Sequence, residues 1–389
     1  MPEGEGESTA TRASSIGEAT GGDPGSVLLG LTGLRIEGGI ASVSRCLARA
    51  LDEEVQAGRL ARTDRVLLLE PAGEPAPPPT RGDQHLARGS QARFVWQLWR
   101  AFRRQRHDLV LFDLVGLARS VLLPLPGFPP PRTAIFVHGI ELAGARSGAR
   151  ARALAAATRV LANSEFTAAR VRREFPGLAE RVRAVPLCID PERAAAWRES
   201  PAASLPPREP AALIVGRMWS EERGKGHDAL LEAWPGVRRR VPAAELWIAG
   251  EGDDLPRLEA RARELGVAPA VRFLGRVSDA ELGALYRRAS LYAMPSRQEG
   301  FGLAWAEAMW CGLPCVGSTA DAAGEVIRDG ETGLLVPWGD VAAIGAAVGA
   351  LLVDPARARR MGEAGRRHAR ERFSYDRFRR DLLAALEPS

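Results

Sequence analysis

Short apolar runs alternate with amphipathic stretches along this sequence, and the pattern runs through twice. In the first half the runs are Ser26–Gly30, Val66–Leu69, Asp108–Phe112, Thr133–Val137, Val160–Ala162 and Val182–Val185. In the second they are Ala212–Val215, Glu245–Ala249, Val271–Leu274 and Leu291–Met294. Helical stretches fall between them, at Ile40–Leu51, 93–106, Ala149–Thr158, His227–Trp234, Asp279–Arg288 and 302–311. Strands that alternate with helices predict a parallel, doubly wound α/β sheet. Between the halves lies Glu199–Pro210, with four prolines and no periodicity, which reads as a linker. The expected architecture is therefore two Rossmann-like domains facing across a central cleft. Ligands of such sheets bind beyond the carboxyl ends of the strands. The expected divisions are a disordered tail (1–25), an N-terminal domain (26–198), the linker (199–210), a C-terminal domain (211–372) and a closing helix (373–389) that crosses back to the first domain.

Composition removes several classes. The chain has 389 residues, 46% apolar and 26% charged, which is ordinary for a folded soluble protein. No apolar run reaches the ~18–20 residues of a membrane span. The longest approach, 109–128, is broken by Asp113, Arg119 and prolines. Glu3, Glu5 and Glu7 do not suit a secretory signal. Four scattered cysteines make no disulfide framework and fit a reducing cytosol. Cys311 and Cys315 lack a second ligand pair, and no clustered His/Cys or acidic motif appears, so no metal is expected. The net charge is +5, but arginine richness spread along the chain does not point to nucleic acid, and no such partner is expected. It suits an acidic partner or an anionic membrane surface. Of the 53 basic residues only Lys225 is a lysine.

Four places carry residues suited to chemistry. The densest runs from Met294 to Glu307, where a strand ends near Ser296 and a helix opens near Gly302. The backbone N–H groups of Gly300, Phe301 and Gly302 fall at that helix start, able to hold oxygen atoms or an anion. Glu299 and Glu307 flank the turn, and both can reach the cleft and accept bonds from sugar hydroxyls. The alternative is a helix-start acid and a solvated helix glutamate. The second place is Gly216-Arg217 followed by Gly224-Lys225-Gly226, across an apparently exposed loop, Ser220–Arg223. There a guanidinium fork and a mobile ammonium can converge on a diphosphate. A lone lysine in an arginine-rich chain argues for a local need for that ammonium. The third is Gly38-Gly39, a turn opening a helix and able to approach a phosphate or sugar closely. It lacks the spacing of a dinucleotide fingerprint. The fourth is His138, at the mouth of a strand. The stretch 93–106 sets Phe94, Val95, Leu98, Trp99 and Phe102 beside Arg93, Arg100, Arg103, Arg104 and Arg106. It reads as a helix packed on its own sheet, or alternatively as a membrane-surface contact.

Together these residues resemble the family-4 glycosyltransferases (glycosyl transferases group 1) of the GT-B fold. The carriers are Glu299 and Glu307 as an E-x₇-E signature, Gly216-Arg217 with Lys225-Gly226, and Gly38-Gly39. Ala162-Asn-Ser-Glu-Phe166, Phe273-Leu-Gly275 and Gly330-Glu-Thr-Gly333-Leu-Leu-Val336 add to them. The resemblance implies transfer of a hexose-type sugar, with retention, from a nucleoside diphosphate sugar to a cell-envelope, polysaccharide or lipid-linked acceptor, at the cytoplasmic membrane face or in the cytoplasm. It implies that Glu299 and the amides of Gly300, Phe301 and Gly302 hold the donor sugar, and that Glu307 takes the ribose. It further implies that Arg217 and Lys225 neutralise the leaving diphosphate without a metal or other cofactor, with Gly38 and Gly39 close by. His138 would contact the sugar, and the Val277 main chain would meet the base. The chain departs from the family pattern in its long Arg217–Lys225 loop and in Asp321-Ala-Ala-Gly324-Glu325, where a Gly-Gly is usual. A sugar-nucleotide epimerase or phosphorylase of the same fold, or a homologue that only binds the nucleotide sugar, fits the same motifs.

Overall fold

A computed structural model describes residues 25–36, 38–71, 76–122, 131–142, 147–197 and 208–387. The expected tail up to residue 24, Glu37, Arg198 and most of the expected linker (199–207) lie outside the described residues. The first half holds β1 (Gly25–Leu31), α1 (Gly39–Gln56), β2 (Leu60–Leu67), β3 (Gln84–Leu86), α2 (Gln91–Arg104), β4 (Leu109–Phe112) and α3 (Val115–Ala118). It continues with β5 (Arg132–Val137), α4 (Gly148–Ala156), β6 (Arg159–Ala162), α5 (Glu165–Glu174), β7 (Val182–Ala184) and α6 (Pro191–Ala196). The second half holds β8 (Ala211–Val215), α7 (His227–Arg240), β9 (Glu245–Ala249), α8 (Leu255–Glu264), β10 (Val271–Gly275), α9 (Asp279–Arg288) and β11 (Leu291–Ala293). Then come α10 (Leu303–Trp310), β12 (Cys315–Ser318), α11 (Ala323–Val326), β13 (Gly333–Val336), α12 (Val341–Val353), α13 (Pro355–Arg372) and α14 (Tyr375–Leu386).

Each half forms its own parallel sheet, in the order β3-β2-β1-β4-β5-β6-β7 and β10-β9-β8-β11-β12-β13. The strand order reverses at β1/β4 in the first sheet and at β8/β11 in the second. Such switch points open a crevice at the carboxyl ends of the strands. The strands Leu109–Phe112, Leu291–Ala293 and Cys315–Ser318 are buried throughout. Helices on both faces explain why the first two of these read as continuous apolar runs.

The structure adds elements the sequence reading did not name, β12, β13, α12 and α13 among them, and three more differ for a physical reason that can be traced. Strand β2 starts at Leu60 rather than Val66, because its polar residues are buried with partners: Thr63 Oγ1 donates to Asp52 at 2.8 Å, Arg65 pairs with Asp52, and Asp64 meets His107 at 2.6 Å. The short edge strand β3 gave no apolar signal. Helix α7 runs through Pro235 to Arg240, where a stop at Trp234 was expected; buried Trp234 and Val237 on either side of the proline hold it to the core. At the end of the chain α14 packs on α1, with Arg379 against Glu53 and Glu54, and Arg132 donates to the Leu386 carbonyl at 3.1 Å.

Candidate active site

The switch points gather most of the residues singled out above. Arg217 follows β8 directly, and the segment Pro295–Gly302 joins β11 to α10. Between Arg217 and α7 the chain forms a 3₁₀ turn, Ser220–Lys225, rather than the open loop expected. This turn docks on the segment after β11: Arg297 N donates to Gly224 O at 3.0 Å. A Cβ on Gly226, whose φ is +97°, would lie 2.8 Å from Pro295 O. Glycine is needed there both for the left-handed backbone and for the close approach. The docking brings Lys225 Nζ to 3.0 Å from Glu299 Oε2. The lysine stem crosses Gly216, where a Cβ would lie 2.9 Å from Lys225 Cδ.

Lys225, Glu299, Glu222, Ser296, Gln298 and Ile140 line one narrow pocket. Arg217 is largely exposed and bonds Glu222 at 3.0 Å, so it joins this group through a carboxylate shared with the pocket wall. His227, next to Lys225, is pushed down to about 4 by burial and by the Lys225 charge, so its ring is neutral at neutral pH.

The loop carrying Glu299 is clamped by Asp321. Its Oδ2 accepts from Ser296 Oγ at 2.5 Å and from Glu299 N at 3.1 Å, and its Oδ1 accepts from Ala323 N at 3.1 Å. Burial pushes the Asp321 carboxyl up to about 6 against those bonds. Gly302 has φ +85° and begins α10 without a side-chain cap. The Phe301 side chain is buried edge-on against Phe373, so only its backbone is free for a ligand.

The first lobe meets this loop directly. Gly300 O accepts from Ser164 Oγ and from Thr167 Oγ1, the latter at 3.1 Å. A Cβ on Gly300 would lie 1.9 Å from His138 O. His138 is thus brought against Gly300. Its Nε2 lies 2.8 Å from Asp113 O, which makes that nitrogen a donor. Asp113 is fully buried and accepts from Thr32 N at 2.7 Å and Ser44 Oγ at 2.6 Å, joining the turn after β1 to α1. Glu325, in the segment that departs from the family pattern, accepts from Glu165 N at 2.9 Å and from Phe166 N, capping α5 across the lobes. Gly38 (φ +112°) and Gly39 open α1 with no side-chain cap and no atom within 4 Å of where a Cβ would stand. Their amides are open to a ligand.

Glu307 differs from the sequence reading. It is buried rather than open to the cleft, with Oε1 2.6 Å from Arg193 Nη1 and Oε2 3.2 Å from the Tyr286 hydroxyl. Val277 is half-buried, just before the Ser278 capping box that starts α9. A larger cavity, about 860 Å³, lies along α1, and none of the residues singled out from the sequence lines it. Among the described residues no group of three or more His, Cys, Asp or Glu could hold a metal ion. Sequence reasoning passed over Asp113, Asp321 and Arg193. The first two had a signal: each is an acid just beyond a buried apolar strand, at the mouth of its sheet.

The Glycosyltransferase Family 4 model matches residues 37–193, and the Glycosyl transferases group 1 model matches 209–354. A GDP-mannose-dependent alpha-(1-6)-phosphatidylinositol monomannoside mannosyltransferase of Mycolicibacterium smegmatis is 43% identical over 169 residues, covering 42% of this chain and 44% of that one. A glycogen synthase of Mycobacterium tuberculosis is 41% identical over 203 residues, covering 51% and 46%. The chain thus spans less than half the length of these relatives. Sucrose-phosphate synthase of Thermosynechococcus elongatus superposes with a TM-score of 0.72 at 23% identity, over 92% of this chain and 97% of that one. Anabaena HepE in complex with UDP and glucose superposes at 0.73 and 18% identity, over 93% and 99%. With both lobes matched and the two-sheet architecture shared, the chain belongs to the family-4, group 1 glycosyltransferases of the GT-B fold.

Proposed function

We propose that this glycosyltransferase moves a hexose-type sugar, with retention, from a nucleoside diphosphate sugar to a cell-envelope, polysaccharide or lipid-linked acceptor. The observation that carries the reading is the Lys225–Glu299 pair, set beside the uncapped start of α10. A cation, a carboxylate and bare amides are the groups needed to hold a sugar and the diphosphate leaving from it. In this reading Lys225 and Arg217 take the negative charge that develops on the leaving phosphate. The Gly38–Gly39 amides add to it from the other lobe. Glu299 and the amides of Gly300, Phe301 and Gly302 orient the sugar hydroxyls, and His138 faces the reacting carbon. Glu307 accepts from the ribose, and the Val277 backbone meets the base. The relatives named for GDP-mannose and the neighbour holding UDP and glucose support a nucleotide-sugar donor. The test is a calorimetric panel of nucleoside diphosphate sugars. One donor should bind and be consumed only with acceptor present; binding without turnover for every acceptor, or release of an epimer, would reject transfer.

Two side-chain cations in the place of a metal make the reaction metal-independent. Full turnover is expected in excess chelator, and loss of turnover there would contradict it. Glu307→Ala should weaken donor binding about tenfold or more with a smaller effect on kcat, read from calorimetry beside steady-state kinetics.

For the acceptor, α2 offers a membrane-facing surface in a cytoplasmic protein. Phe94, Leu98 and Phe102 are buried, while Trp96 is 53% exposed with Arg100 stacked over it at 5.3 Å. Arg103 stacks on Trp99 at 5.2 Å, Arg93 and Arg104 are exposed, and no acid interrupts residues 84–107. Aromatic and cationic groups together suit an anionic lipid surface. No single helix among the described residues is long and apolar enough to cross a membrane. Flotation with phosphatidylglycerol-containing vesicles should recover the chain. Trp96→Ala with Arg100→Ala should release it, and equal recovery would assign α2 to packing alone.

A further inference from the structure

The carboxylate read above as the ribose ligand is held by a cation from outside its own lobe's sheet. Arg193 stands on α6, at the end of the first half of the chain. Asp190 caps that helix through Glu192 N at 3.0 Å and binds Arg45 of α1 at 2.5 Å. Trp197, just past α6, donates to Asp279 O at 2.9 Å and fills the space over Gly283 of α9. Helix α6 is therefore seated on both α1 and α9. From this seat the Arg193 guanidinium, 11% exposed, reaches two acids at once. Its Nη1 donates to Glu307 Oε1 at 2.6 Å, while Nε and Nη2 donate to Asp279 at 3.0 and 2.7 Å. Asp279 begins α9, two residues after Val277.

A carboxylate has about four acceptor positions, two on each oxygen. Arg193 fills one on Oε1 and Tyr286 fills one on Oε2. One position remains on each oxygen, which matches two neighbouring hydroxyls. We propose that Arg193 is the positioning residue of nucleoside recognition, holding the Glu307 carboxylate turned so that its two remaining acceptor positions receive the ribose diol. The inference rests on the reading that Glu307 takes the ribose. It adds that this recognition is built across the chain's two halves, because α6 is anchored on α1.

The groups facing Glu307 act on its carboxyl in opposite directions. They are Arg193 from α6, Tyr286 and Asp279 from α9, Tyr292 from β11 and Cys311 at the end of α10. Burial raises the Glu307 carboxyl above its usual range, against the pull of Arg193 and the Tyr286 hydroxyl. Without Arg193 burial acts with little opposition. The group then takes up a proton at a higher pH, and one acceptor becomes a donor.

The experiment titrates the full chain by calorimetry with UDP and GDP, each against its 2′-deoxy form. The unaltered chain should favour the ribose form by about tenfold, the worth of one charge-assisted hydrogen bond. Arg193→Met should shrink that preference to about twofold, with a smaller loss of affinity for the deoxy form, which keeps one of the two hydroxyls. As pH is lowered, its affinity for the ribose form should also begin to fall at a higher pH than that of the unaltered chain. Arg193→Lys keeps the charge without the fork, and should lose about threefold of the preference. It is the deciding variant if Arg193→Met does not fold. A folded variant that keeps the full preference for the ribose form would overturn the role of Arg193. An unaltered chain that does not distinguish the two forms, or binds neither diphosphate, would overturn the ribose reading and this inference with it.

Discussion

Lys225→Ala is expected to lower kcat by about 10²–10³-fold while leaving the fold intact. The size follows from where the charge acts. In the ground state Lys225 already has a partner, Glu299 Oε2, at 3.0 Å. Both side chains are partly open, at 18% and 24% exposure, so the pair adds less than about 1 kcal/mol to stability. Its removal should shift the unfolding midpoint by no more than about 4 °C. In the proposed reaction charge gathers on the diphosphate as the sugar leaves, and the ammonium would be the main side-chain charge to meet it. Arg217 is tied to Glu222 and largely exposed, which makes it the weaker of the two cations. Lys225→Arg should restore only part of the rate. The stem crosses Gly216 so closely that a Cβ there would lie 2.9 Å from Cδ, and the planar guanidinium would end in a different place. This accounts for one lysine persisting in a chain that otherwise uses arginine. Steady-state kinetics and thermal unfolding on the same preparations check both statements. An alanine variant with unaltered kcat would remove Lys225 from the chemistry.

The parts of the molecule legible in the sequence are those in which a local pattern answers to a local force. Strands covered on both faces must be apolar along their length, so β1, β4, β5, β8 and β9 stood out. The turn-and-helix starts at Gly38-Gly39, Gly216-Arg217 and Gly300–Gly302 were visible because glycine marks close backbone approach. Strand β2 was hidden because Thr63, Asp64 and Arg65 are polar yet buried, and their partners Asp52 and His107 lie on other elements. The same reason hid half of the site. Ser164 meets Gly300 from 136 residues away, Glu325 meets Glu165 from 160, and Arg193 meets Glu307 from 114. No period or spacing in one sequence encodes such pairs. Glu307 shows the cost: its spacing from Glu299 suggested a second carboxylate at the cleft, and only the fold reveals that a distant arginine and Tyr286 engage it first.

Gly300→Ala is expected to lower kcat/KM by about 10²-fold, although the change adds a single methyl group and no charge. Gly300 is where the two lobes touch beside the proposed sugar site. Its carbonyl accepts from Ser164 and Thr167 of the first lobe, and its Cα lies over the main chain of His138 and Gly139. A Cβ would stand 1.9 Å from His138 O and 3.2 Å from Asn163 Nδ2. The first of these is a backbone atom at the end of β5 and cannot turn aside as a side-chain tip could. Either the lobes part or the loop retreats. A retreating loop carries Glu299 with it and strains its bond to Asp321. In both cases the amides and Glu299 on one side lose register with His138 on the other. A displacement of about 1 Å is enough to cost two orders of magnitude in rate. Affinity for a nucleoside diphosphate alone should change far less, since Lys225, Arg217, Val277 and Glu307 all lie outside the altered contact. The diagnostic result is a rate that collapses while calorimetry with the diphosphate stays within a few-fold of the unaltered chain. Equal rates for the two proteins would mean that catalysis does not pass through the arrangement in which Gly300 rests on His138.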